Sequence, residues 1–226
     1  MILTKEQQAL LDGEKGETLA KVMKTLVMYG DAFNAKKMVP ITSEYGHTVI
    51  SFGIGVMKPV YELYDMLLSG GAVNTQKISA DPRPLDKNVP SSLLQDVVFK
   101  FMYSQQDKYE QQLKQFGIMS DDAYTCACYL PEVGNTPKRG DILSWAESSA
   151  VVYANSVLGA RCNRNSGIIE LMGSIAGFVP VGFAASSAGE YTFSLFAVVG
   201  IALIVSWIVA VIFAPLLGVA ILREPK

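Results

Sequence analysis

The chain carries no excess of basic charge: nineteen Lys and Arg stand against twenty-one Asp and Glu, a formal net charge of -2 at pH 7. Proteins that neutralise phosphates need such an excess, so nucleic acid is excluded as a partner. Cysteine is scarce and odd in number, three residues with two of them in Cys126-Ala-Cys128. That is no disulfide framework, and it leaves free thiols or metal ligation. The amino terminus, Met1-Ile-Leu-Thr-Lys-Glu-Gln7, lacks a basic segment followed by an apolar one, so no secretory signal is read there and the large amino-terminal region is expected in the cytoplasm. Internal repeats and low-complexity tracts are missing as well.

What is present is unevenly distributed. Apolar residues make up 50% of the chain and aromatics 10%, ample for a folded core. Yet 36 of the 40 charged side chains fall in residues 1–180, and the tail from 181 to 226 holds only Glu190, Arg223, Glu224 and Lys226. No charge occurs from Tyr191 to Leu222, and between Leu195 and Phe213 only Gly200 and Ser206 interrupt the apolar run. By length this is a membrane span, expected over about residues 192–214. The domain reading is therefore a globular part, 1–180, and a hydrophobic tail, 181–226.

Along the globular part, Thr4 with Gln7 forms a capping box for a first helix. Leu19, Val22, Met23, Leu26 and Val27 keep the spacing of a second, with Gly30 as its expected left-handed stop. Met38–Ile41 and Thr48–Phe52 read as strands joined by a loop of Thr42, Ser43, Glu44, Tyr45, Gly46 and His47. Pro59 opens a helix that Gly70-Gly71 stops, and Asp81-Pro-Arg-Pro-Leu-Asp86 is too proline-rich for regular structure. A helical pattern runs from Ser91 to Phe116. Ser144 with Glu147 reads as a second capping box before Ala150, Val151, Ala154, Val157 and Leu158, with Gly159 as the stop. Helices alternating with short strands predict an α/β layer architecture, with parallel pairing left open.

Three segments carry the chemistry: Tyr124-Thr-Cys-Ala-Cys-Tyr129, Gly134-Asn-Thr-Pro-Lys-Arg-Gly140, and the run from Ser144 to Asn165. With Leu11-Asp-Gly-Glu-Lys-Gly16, Val39-Pro-Ile-Thr-Ser43 and Asp81-Pro-Arg-Pro84 upstream, they resemble the core signature of aconitase X over roughly residues 1–180. The resemblance implies partial aconitase-like α/β/α layers and a dehydratase, a hydro-lyase that uses an iron-sulfur cluster held by three cysteines. One iron is left open as a Lewis acid for the substrate hydroxyl while a base removes the neighbouring proton. Known members act on a hydroxyproline or on mevalonate 5-phosphate.

On that resemblance Cys128 falls where a cluster cysteine is expected, with Cys126 the weaker match; the alternative is that both are buried, reduced thiols. Cys162 is read as a small packed side chain. Asn163-Arg164-Asn165 resembles the Asn-Arg-Asn run that grips substrate in aconitases, the guanidinium offering a planar fork to a carboxylate or phosphate of a small anionic substrate. The plain alternative is a solvated turn. Glu147 and Ser148 are candidate substrate contacts, although Glu147 serves equally as a helix cap. Thr42 and Ser43 match the family's pocket loop, and His47 is either part of that pocket or a polar loop residue.

Two departures qualify this reading. No cysteine follows Cys162, whereas family large subunits supply further cluster cysteines downstream, and the small swivelling-domain subunit that the resemblance implies as a partner is not in the sequence. The tail, from about residue 176 to 222, resembles a transmembrane segment of resistance-nodulation-division efflux transporters, and the two resemblances overlap at Ala176-Gly-Phe-Val-Pro180. A chimera follows from this, with a truncated dehydratase subunit as the leading function and a membrane-embedded transporter fragment, or a non-functional fusion, as the alternative. Arg223 and Lys226 would keep the end of the span inside, which conflicts with a cytoplasmic enzyme.

Overall fold

In the computed structural model the described residues are 1–86, 89–90, 92–163, 165, 167–181, 201–209 and 211. The chain divides into two compact units, residues 1–182 and 183–226. In the first, α1 (Lys5–Leu11) and α2 (Glu17–Ala32) lead into β1 (Lys37–Pro40) and β2 (Tyr45–Thr48). Next come α3 (Lys58–Ser69), β3 (Lys77–Ala80), α4 (Leu93–Met102) and α5 (Gln106–Phe116). The last elements are β4 (Ile142–Leu143), α6 (Ser148–Tyr153), β5 (Arg161–Cys162), α7 (Gly167–Ala176) and β6 (Phe178–Val181).

The parallel pairing that periodicity left open is present. β2 pairs in parallel with β3, His47 opposite Ser79, and β4 pairs in parallel with β5. Single parallel bridges extend the array: His47 to Trp145 joins β2 to the continuation of β4, while Ile78 to Ile118 and Ala80 to Tyr124 add the segment after α5 to the far side of β3. The order is thus the 118–124 segment, β3, β2, β4 and β5, all running the same way. A separate antiparallel pair, β1 with β6, sets Met38 opposite Pro180.

Side chains alternate across β2 and β3, and the two faces differ. One meets a large core in which Ile78 and Ala80 pack with Val22, Met23, Leu26, Tyr64, Leu113 and Ile175. α7 approaches this face so closely that a Cβ at Gly46 would lie 2.8 Å from Ser174 Oγ, which accounts for glycine in mid-strand. The other face meets a smaller cluster of Cys128, Leu143, Trp145, Ala150, Val151, Ala154 and Ala160.

Several local expectations change. The second strand begins at Tyr45, not Thr48, so Tyr45, Gly46 and His47 are strand residues; Asn135 and Gln76 side chains hold this stretch through Gly46 O and Ser43 O. Gly30 stays inside α2, which ends two residues later, and its glycine answers to packing instead, since a side chain there would collide with Met1 and Pro180. The helical pattern from 91 to 116 breaks at Tyr103–Gln105 into α4 and α5. β3 had no counterpart among the expected strands. The Thr4–Gln7 capping box forms as expected, and Gly159 is the left-handed stop, after a π-helical turn at Ala154–Leu158.

The expected transmembrane helix over about 192–214 lies mostly outside the described residues. Residues 201–209 and 211 are helical, with exposed apolar side chains such as Ile201, Leu203 and Trp207. No helix among the described residues is long and apolar enough to cross a membrane.

Candidate functional site at the carboxyl edge of the parallel strands

In open α/β sheets, ligands bind beyond the carboxyl ends of parallel strands, because the loops leaving those ends converge there. Here β2 ends at Thr48, β3 runs into Asp81-Pro-Arg-Pro, the bridged strand at Tyr124 runs into Cys126 and Cys128, β4 continues through Trp145 to Glu147 and Ser148, and β5 ends at Cys162, next to Asn163 and Asn165. Cys126, Cys128, Glu147, Ser148 and Asn163 are therefore brought to one edge. Arg164 lies outside the described residues.

Thr42 and Ser43 stand at the opposite edge. Thr42 donates its N–H to Ile142 O at 3.1 Å, and its Oγ1 accepts from Ile142 N at 2.8 Å. Ser43 is buried; its Oγ accepts from Tyr45 N at 3.2 Å, and its carbonyl accepts from Gln76 Nε2 at 2.6 Å. Both residues tie the amino ends of β2 and β4 together.

His47 occupies the centre. It is fully buried, with Nδ1 2.9 Å from Ser79 Oγ and its ring edge-on to Trp145. Asn135 Nδ2 donates to Ser79 Oγ at 2.8 Å and to Gly46 O at 2.9 Å, so the amide spans the β2–β3 pair. His47 Nε2 and Asn135 Oδ1 are buried without a hydrogen-bond partner. Burial pushes the His47 pKa down to about 4, against the pull of the Glu147 carboxylate and Ser79, so the ring is neutral at physiological pH.

Glu147 has a left-handed backbone, φ 72°, rare for a residue with a side chain. Its carboxylate accepts from Ser149 N at 3.1 Å and from Ala150 N at 2.9 Å, and so caps α6 directly. Partial burial opposes its ionisation, but these donors and the Ser149 hydroxyl outweigh it and hold the carboxyl below its ordinary value. The expected capping box is corrected accordingly: Ser144 is buried and donates to Glu170 O at 2.9 Å, leaving the cap to Glu147 alone. Ser148 is exposed at the edge, and Asn163 Nδ2 donates to Pro180 O at 2.7 Å.

Asp81, at the end of β3, is a site residue that the sequence reading passed over. It is buried, accepts from Tyr109 Oη at 2.8 Å and from Phe52 N at 3.2 Å, and burial raises it to about 6 in spite of both donors. It lines a shallow crevice with Phe52, Arg83, Tyr109 and Tyr124. Arg83 lies 3.9 Å from the Tyr124 ring centre and pairs with Glu110 at 3.2 Å and Asp121 at 2.8 Å. The crevice has no room for even a water-sized group, so it does not enclose a substrate by itself. Ser79 and Asn135 were also not named as site residues; Asn135 lies in the Gly134–Gly140 segment already singled out, and Ser79 is a polar residue between Ile78 and Ala80.

The thiols bear on the implied iron-sulfur cluster. Cys128 is 0% exposed, and burial pushes it up to about 12, while burial also raises Cys126. Cys162 stands at about 12 for the same reason, its Sγ 3.1 Å from Asn163 O. Cluster iron binds thiolates, and a coordinating metal deprotonates a thiol itself, so the number and placement of thiols decide whether they fit. Among the described residues no three His, Cys, Asp or Glu side chains converge to hold a metal ion. The described residues therefore do not fit a cluster as they stand.

Comparison with known proteins identifies the family and the fold. A family model described as the aconitase X first domain matches residues 1–185. The phosphomevalonate dehydratase large subunit of Methanocaldococcus jannaschii is 36% identical over 184 residues, covering 80% of this chain and 42% of that protein. The cis-3-hydroxy-L-proline dehydratase of Hypocrea jecorina is 29% identical over 184 residues, covering 80% of this chain and 28% of that one. The solved structure of Thermococcus kodakaraensis aconitase X in its holo form superposes with a TM-score of 0.63 at 30% identity, covering 80% of this chain and 42% of that chain. The chain thus spans less than half the length of these relatives, and the family match stops at residue 185, so the transporter resemblance of the tail gains no support from it. A parallel array carrying its polar residues at one edge, matched in sequence and superposed in structure, belongs to a known lineage: the chain is a member of the aconitase X family.

Proposed function

We propose that residues 1–181 form part of a hydro-lyase site that eliminates water from a small hydroxylated acid, of the kind its relatives' names record, phosphomevalonate or cis-3-hydroxy-L-proline. The observation that carries this reading is that the segments bearing Asp81, Cys126, Cys128, Glu147, Ser148 and Asn163 all leave the carboxyl edge of one parallel array. In it, Ser148 and Asn163, with Arg164, meet the anionic substrate, while Glu147 shapes the loop that presents Ser148. Asp81, near 6, matches a group that exchanges a proton close to neutral pH. The neutral His47 ring, fixed by Ser79 and Asn135, is a positioning residue beneath the edge. Thr42 and Ser43, at the other end, are structural.

A cluster enters only as the family relation implies it. Cys128 is the thiol this chain would offer first, with Cys126 second, and no step is routed through iron here. The large-subunit relatives also make a small subunit the expected partner. The test is a chimera in which residues 1–181 replace the aligned segment of the M. jannaschii large subunit, paired with its small subunit and assayed by proton NMR for water elimination from phosphomevalonate and cis-3-hydroxy-L-proline. Turnover of either supports the reading; a folded chimera that turns over neither overturns it.

The tail favours a second reading, an anchored protein, on the ground that no charge occurs from Tyr191 to Leu222. Membranes from cells making the full chain should retain it through a carbonate wash, and release into the supernatant removes this reading.

A further inference from the structure

Asn155 has no part in the site described above, yet its side chain is fully committed. Its Nδ2 donates to Val151 O at 2.9 Å and to Cys162 O at 3.0 Å, while its Oδ1 accepts from Cys162 N at 3.2 Å. Arg161 N points the other way, to Asp141 O at 2.7 Å, so the backbone groups of Cys162 face the outer side of β5 and need partners there. One amide meets both, as a neighbouring strand would, and gives its remaining hydrogen to α6. It sits in the π-helical turn Ala154–Leu158, a rare distortion that recurs at functional sites.

We propose that Asn155 is a positioning residue of the dehydratase site, one that sets Asn163 at the end of β5 against Ser148 at the start of α6. The two substrate contacts leave different elements of the fold. Val151 lies three residues after Ser148, and Cys162 immediately precedes Asn163, so the amide bridges the two elements within one turn of each contact. The Asn163 side chain is held separately, by Pro180 O, whereas the direction of the backbone is left to Cys162. Further on, Asn165 N donates to Asn163 O at 3.1 Å, and Asn165 Nδ2 is buried without a partner. A buried donor stays uncommitted only while the strand end that carries it does not shift. Asn155 touches no substrate itself. The inference rests on the dehydratase reading for what the held strand end is for.

Asn155→Asp and Asn155→Ala test it in two measurements. Aspartate has the shape of asparagine but turns a carboxylate oxygen towards two carbonyl oxygens, so its effect reports hydrogen bonding and not packing. In the full chain, held in detergent, amide exchange by NMR should show Cys162 N–H losing protection in both variants. The Asn163 and Asn165 amide signals should shift while α2 and α7 stay as they were. In the chimera described above, KM for the substrate it turns over should rise roughly tenfold or more, with kcat within about threefold, since the grip is loosened and the chemistry is untouched. Val157→Ala, on the same turn at an exposed position, should change neither measurement. Unchanged protection at Cys162, or Asn163 and Asn165 signals that stay in place, overturns the proposal. So does a lowered thermal midpoint with KM unchanged, or a loss of protection throughout both variants, either of which assigns Asn155 to the fold alone. A chimera inactive before any substitution counts against the dehydratase reading, and the exchange measurement then decides on the strand end.

Discussion

The two apolar clusters flanking β2 and β3 divide the labour of the fold. The larger, on the α7 side, draws Val22, Leu26, Tyr61, Tyr64, Leu67, Leu113, Phe116 and Ile175 from four helices. The smaller has seven buried members, three of them alanines, and lies against His47, Ser79 and Asn135. Stability is concentrated on the first side. The second spends its burial on polar groups that strain the fold unless they stay neutral or paired, which is the usual cost of a working site.

That contrast can be broken by measurement. Leu26→Ala, in the large cluster, should lower unfolding stability by about 4 kcal/mol, read from urea denaturation, because a fully buried leucine leaves a cavity that α2 and α7 cannot close. A loss below about 1 kcal/mol would mean that the large cluster is not the stabilising one.

The buried titratable groups should make stability depend on pH, His47 against the small cluster and Asp81 bonded to Tyr109 of the large one. His47 titrates near 6.5 when unfolded and near 4 when folded, so the unfolded chain binds more protons between these values. The His47 contribution to stability should accordingly fall as pH drops from 6.5 towards 4, by about 3 kcal/mol in all, and His47→Gln should remove that contribution, leaving the profile to the groups of opposite sign. Asp81 works with the opposite sign. Its folded value near 6 lies above the ordinary 3.8, so the folded chain binds more protons, and stability should fall as pH rises from about 4 to 6. The magnitude is slightly less, about 3 kcal/mol at most, and denaturation of Asp81→Asn across that window should show the His47 contribution unopposed, with stability falling as pH drops.

The smallest effect belongs to Glu147. Replacement by glycine removes the side-chain cap but relieves the left-handed backbone, and the two should cancel to within about 0.5 kcal/mol. A thermal midpoint that moves by many degrees would show that Glu147 does more for the fold than cap α6.

Much of this architecture was legible in the sequence. The Thr4–Gln7 box, Pro59 at the start of α3 and Gly159 at a left-handed stop are local signals, and local geometry obeys them. The aconitase X resemblance was legible because it rests on ordered motifs. β3 was not, since four residues bounded by a lysine carry too little periodicity, and its strand character comes from β2 beside it. Nor was the division between the two edges. Thr42 and Ser43 lie within five residues of His47 in sequence, yet one strand length separates the amino edge they tie from the carboxyl edge where β2 ends. Ser144 read as a cap because its spacing to Glu147 was right, but α7 supplied it with a buried carbonyl instead.

The central claim is that the carboxyl edge does the chemistry and the amino edge holds the strands. One comparison tests it most directly: kcat/KM and thermal midpoint of the chimera carrying Ser148→Ala against the chimera carrying Thr42→Ala. Ser148 is exposed, so its loss should leave the midpoint unchanged and cut kcat/KM roughly tenfold or more. Thr42, bonded to Ile142 N, should do the reverse, with stability down by about 1 kcal/mol and kcat/KM within about twofold. Loss of turnover on removing Thr42 while Ser148→Ala remains fully active would contradict the account.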